Sequence, residues 1–113
     1  MARWNRTVRA RQEWGIDRRR TGARAVSRAE SINPHLNAII HESYAAACDN
    51  AVGLDDSSPL AGVPMVINDF VCREAGRPFH EGSQFLKDIA YVSDYDQELA
   101  VRFRQAGLVP IGL

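Results

Sequence analysis

The residues able to act as bases, nucleophiles or metal ligands are few. Histidines stand at 35, 41 and 80, cysteines at 48 and 72, and the one lysine is Lys87. No two histidines are three or four residues apart, the spacing that sets two imidazoles on one helical face around zinc. The cysteines are 24 positions apart. These spacings assign no metal site. Cys48 falls in an Ala-rich stretch and reads as a small core residue. Cys72 becomes a nucleophile only with a base beside it, which spacing does not supply. Gly82-Ser83 stands without the glycine-rich frame of a phosphate loop. Asp94, Asp96 and Glu98 read as cap and first-turn charges of a helix. Lys87, beside Asp88, reads as a solvated charge. By chemistry alone the set is not a complete catalytic one, and no cofactor is implied.

The elements that must hold these residues follow from periodicity and breakers. Ala25, Ala29 and Ile32 predict a helix over 23–32 that stops at Asn33-Pro34, because the residue before proline disfavours the α region. Leu36–Ile40 reads as a strand and Glu42–Val52 as a helix stopped by Gly53. Asp55–Pro59 is a run of turn residues. Met65-Val66-Ile67 reads as a buried strand, and 73–88, with Gly76, Pro78 and Gly82, as mostly loop. The clearest element is 95–106. Tyr95, Leu99, Phe103 and Ala106 fall on one helical face, Asp94 is placed to cap it, and Gly107 takes the left-handed position after it. Leu108–Ile111 follows as a strand. Helix, glycine and short apolar strand in that order are α/β grammar.

Composition sets the outer limits. The chain has 113 residues, 45% apolar and 25% charged, the values of one ordinary small domain. No apolar run nears the roughly 20 residues of a membrane span, and the basic start lacks the apolar segment of a secretory signal. Two cysteines do not make a disulfide framework, so the expected compartment is the reducing cytoplasm. The net charge of +0 averages two unlike parts. Residues 1–28 hold nine arginines against Glu13 and Asp17, and the remainder is acidic. The division expected is a basic, poorly structured arm over 1–24 and a folded part over 25–113. Clustered arginines release phosphate counterions, so the arm offers a nucleic-acid reading. It lacks base-reading or stacking features, and nucleic acid is not the favoured partner.

Four blocks carry a resemblance. They are Ile32–Ile40, Leu60–Asp69 with its Gly62-Val63-Pro64 entry, Ala75–Pro78 followed by Glu81–Leu86, and Asp96–Leu99 followed by Arg102–Gly107 and Ile111-Gly112. In this order and spacing they resemble the N-terminal part of amidase signature enzymes, over about residues 29–112. The resemblance implies the N-terminal portion of that family's α/β fold: helices plus the first strands of a mixed sheet. It implies hydrolysis of carbon–nitrogen amide bonds by a serine, a second serine in a cis peptide and a lysine that acts as a neutral base. Burial lowers a lysine's pKa enough for that role.

On this sequence the resemblance places Asn68 at the lysine position, followed by Asp69. It gives Gly62, Pro64, Asp69, Gly82, Ser83 and Gly107 motif and structural roles. The family's Gly/Ser-rich signature, with both serines, lies beyond Leu113. The expectation is a truncated amidase-like chain without a competent catalytic residue, inactive alone and needing no metal or cofactor. Alternatives are a binding or regulatory module, or a subunit completed by a second polypeptide. The parent family's ligand is a small-molecule amide, and no membrane partner is implied.

Overall fold

The computed structural model describes residues 17–51, 53–54 and 57–113. Most of the arm expected over 1–24 lies outside them, as do Val52, Asp55 and Asp56. The elements run α1 (Arg18–Leu36), α2 (Tyr44–Asn50), β1 (Val63–Val66), α3 (Gln84–Asp88), α4 (Glu98–Gln105) and β2 (Leu108–Gly112).

Helix α1 is longer than its sequence suggests at both ends. The side chain of Asp17 caps its start by accepting from Arg19 N at 2.9 Å, so residues 18–22 are already helical. At the other end the helix runs through Pro34 to Leu36. Proline removes one amide donor in the last turn, and Asn33 organises the exit instead. Its Oδ1 accepts from Ala38 N and Ile39 N at 3.0 and 2.8 Å, and its Nδ2 donates to Ile39 O at 2.9 Å. Asn37 then turns left-handed, with φ 48°. The strand expected over 36–40 is therefore displaced along the chain, and extended pairing begins at Ile40.

Strands β1 and β2 pair in parallel, with Val63 opposite Leu108, Pro64 opposite Val109 and Met65 opposite Pro110. One residue is then gained on β2, so that Val66 faces Gly112. The extra residue reverses which side chains point up and down. Val109 and Ile111 join Ala47 and Ala51 beneath α1 and α2, whereas Leu113 joins Ile67, Cys72 and Ala100 on the other side. Residues 40–43 run antiparallel along the second edge of β2. Ile40 N donates to Leu113 O, Leu113 N to His41 O, and Ser43 N to Ile111 O. Gly112 is required there, because a Cβ would sit 2.5 Å from Ile39 Cγ2 and 2.8 Å from His41 O.

Further expectations are corrected. Helix α4 starts at Glu98, with Gln97 in the cap position, and Asp94 lies exposed outside it. The cause is pairing with the segment before it. Arg73 N donates to Gln97 Oε1, Gln97 N to Arg73 O, and Ala75 N to Asp96 Oδ1, which holds 96–97 extended. The buried face of α4 is Ala100, 0% exposed, with Phe103 packed partly behind it. Tyr95 and Leu99 remain exposed. Cys48 is half-buried and outside the apolar clusters, whereas Cys72 is buried. The loop expected over 73–88 holds the short α3. It sits in an arch closed by Phe79 N to Tyr91 O and Ser93 N to Arg77 O.

Candidate functional site

The strand β1 delivers Asn68 and Asp69 just beyond its carboxyl end. Asn68 is exposed. Asp69 is half-buried, and its Oδ1 accepts the backbone N–H of His80 at 3.0 Å. Among the described residues its buried Oδ2 meets no hydrogen-bond donor. Ser83 N donates to His80 O at 2.7 Å, and Ser83 Oγ accepts from Leu86 N at the start of α3. Ser83 thus serves as a helix cap. Asp69 and Ser83 border one cleft of about 310 Å3, together with His41, His80, Gly82 and Lys87.

Glycines 62 and 107 sit at the opposite end of the strand pair. Gly62 N donates to Gly107 O at 2.8 Å, and both have positive φ, 78° and 82°. A Cβ on Gly107 would lie 2.6 Å from Ala61 Cα, so the two turns touch backbone to backbone. Pro64 lies within β1, opposite Val109. These positions shape the sheet and not the cleft.

The cleft also holds a grouping that sequence spacing does not reveal. His41 comes from the edge segment beside β2 and His80 from the arch, 39 residues later. Their Nε2 and Nδ1 atoms are 3.2 Å apart, with the rings edge-to-face at 75°. With Asp69 they form a cluster in which one ligand atom of each residue lies within 4.8 Å of the others. The absence of a short histidine spacing therefore does not exclude a metal-type cluster, because the fold closes the long gap. Cys72 takes no part. Burial first, and then the nearby Glu74 carboxylate, raise its thiol pKa, which removes thiolate character.

The family model described as Amidase matches residues 23–113, and the chain belongs to that family. It is 35% identical over 92 residues to a glutamyl-tRNA(Gln) amidotransferase subunit of Nitratidesulfovibrio vulgaris, a match over 77% of this chain and 18% of that protein. The chain thus spans about a fifth of the length of the curated relatives it matches. Its fold is similar to a portion of a 6-aminohexanoate cyclic dimer hydrolase solved with substrate, with a TM-score of 0.84 at 24% identity over 94% of this chain and 22% of that one. A bacterial aryl acylamidase of the amidase signature family superposes at 0.79 with 22% identity, over 93% and 23%. The described residues are thus a portion of the amidase signature fold, with two parallel strands among them. Among those residues no helix is long and apolar enough to cross a membrane.

Proposed function

We propose that residues 23–113 supply the scaffold that precedes the serines of an amide hydrolase, and that the chain as it stands has no competent base. The observation that carries this reading is Asn68. It stands exposed, two residues beyond the end of β1, at the position where the resemblance to the family would put the lysine. An amide is not basic near neutral pH and has no proton to exchange in the required step. Losing a triad member costs about three to six powers of ten in rate. Ser83 and Ser93 do not replace the missing chemistry, since Ser83 caps α3 and Ser93 donates to Tyr95 O at 2.8 Å.

The chain works with further polypeptide of the same fold. Leu36, Phe70 and Phe85 are 66%, 63% and 68% exposed. Large apolar side chains that stand this open, on the helices and the turn around the sheet, normally mark surface that further protein covers. The similarity to proteins named as one component of an amidotransferase supports an assembly, and a small-molecule amide is the substrate class.

A chimera tests the reading. Residues 23–113 replace the matching segment of an active amidase-signature enzyme, and folding is checked by circular dichroism. With Asn68 the folded chimera is expected to retain less than about a thousandth of the parent's kcat, and Asn68→Lys to recover at least about a hundredfold. Parent-level turnover with Asn68 in place would overturn the proposal.

A further inference from the structure

The geometry points to a divalent transition-metal site, of the zinc class, built from His41, Asp69 and His80. It is independent of the proposed amide chemistry, because it does not use Asn68 or any serine. Three features converge on it.

The first is the separation of the two imidazoles. Zinc holds nitrogen ligands at about 2.0–2.1 Å in a tetrahedron, which puts two of them about 3.3 Å from each other. His41 Nε2 and His80 Nδ1 are 3.2 Å apart, with their rings crossed at 75° instead of stacked. The pair already has the length of a tetrahedral edge, at which one ring N–H hydrogen-bonds to the other nitrogen in the metal-free chain, and the cluster as a whole, within 4.8 Å, closes further around an ion.

The second is the carboxylate. The backbone N–H of His80 fixes Asp69 through Oδ1, while Oδ2 is buried without a donor among the described residues. A buried anionic oxygen without a partner is costly, and a cation removes that cost. The His80 amide then acts as the outer contact that orients a metal-bound carboxylate.

The third is the ligand set and the space beside it. Two imidazole nitrogens and one carboxylate oxygen suit zinc, cobalt or nickel, whereas magnesium and calcium favour oxygen alone. The cleft leaves room for a water as fourth ligand. Lys87 borders the same cleft and is exposed, so its charge is largely screened by water. A bound ion would join three pieces that are distant in sequence: the edge segment 40–43, the turn after β1, and the arch ahead of α3.

The test uses the full chain, zinc alone as probe, and His35 as an internal control, since it is exposed on α1. Diethyl pyrocarbonate modification is read residue by residue by mass spectrometry, with and without zinc. With zinc at about ten times Kd, roughly a tenth of the sites remain free, so modification of His41 and His80 slows about tenfold. His35 is unaffected, and magnesium protects none of the three. Cobalt in place of zinc gives visible ligand-field bands that His80→Asn abolishes. Equal protection of His35, no protection at all, or equal protection by magnesium overturns the proposal. The wild-type readout stands alone if His80→Asn does not fold. An inactive chimera that still protects both histidines separates this site from the amide reading.

Discussion

Asp69 Oδ1 accepts the backbone N–H of His80 at 3.0 Å, so the residue that ends the Leu60–Asp69 block is joined to the one just ahead of the Glu81–Leu86 block. Two residues eleven positions apart thus meet through one carboxylate. A short acceptor is needed, because the backbone of the turn approaches the arch directly.

The first prediction follows from that bond. Asp69→Ala removes the acceptor and leaves the His80 amide without it. Hydrogen bonds to charged groups contribute about 1.5–3 kcal/mol, and that is the loss expected in metal-free urea unfolding. Asp69→Asn keeps an acceptor oxygen in place and is expected to lose less than about 1 kcal/mol. If the alanine variant unfolds at the wild-type urea midpoint, the bond does not hold the turn.

Two glycines separate backbone strain from steric overlap. Gly82 has φ 67° with open space where a Cβ would be, and Gly107 has φ 82° with Ala61 Cα 2.6 Å from that point. Gly82→Ala is expected to cost about 1–2 kcal/mol for the left-handed conformation alone. Gly107→Ala carries the same term plus about 1–3 kcal/mol for forcing two packed turns apart. Urea unfolding of the two variants side by side checks the difference. Equal losses would mean that the Ala61 turn yields freely.

Residues with local causes were legible in the sequence. Gly107 in its left-handed position, the strand after it, and the helix before it follow from neighbours within a few positions. The start of α4 falls later than periodicity predicts because Asp96 and Gln97 are held by Ala75 and Arg73, 21 and 24 positions upstream. The end of α1 lies beyond the predicted stop at Asn33-Pro34, where the Asn33 side chain accepts from Ala38 N and Ile39 N and fixes the exit after Leu36. The Leu60–Asp69 block contains the strand β1, which ends two residues before Asn68. The His41–His80 pair has no local signal, since only the pairing of residues 40–43 with β2 brings His41 to the cleft.

Acid sensitivity is expected from Asp96. The Ala75 backbone N–H, and then the Arg104 guanidinium, hold its carboxyl below the usual 3.8 despite an opposing effect of burial. A depressed acid contributes stability that is fully present above 3.8 and is lost as pH falls through the folded value. Asp96→Asn should flatten the decline in stability below pH 4. The pair with Arg104 is partly exposed, so added salt removes about 1 kcal/mol or less. The Ala75 bond does not depend on that pair. A decline unchanged in Asp96→Asn would assign the acid sensitivity to other carboxylates.

The two thiols should differ in reactivity. Cys48 is half-buried on α2, whereas Cys72 is 3% exposed beside Ile67, Ala100 and Leu113. Burial and the Glu74 charge raise the Cys72 thiol above its usual 9.0, against a smaller lowering by Arg104. At pH 8 a disulfide reagent is expected to titrate one thiol quickly and the second at least about tenfold more slowly, at the rate of local opening. A raised thiol pKa contributes stability that is fully present below 9.0 and is lost as pH rises through the folded value. Cys72→Ala should therefore flatten the alkaline decline, although the smaller side chain lowers stability at every pH. Fast modification of both thiols in the folded chain would show that the Ile67 side of the sheet opens readily, and would undo the assignment of Cys72 to the core.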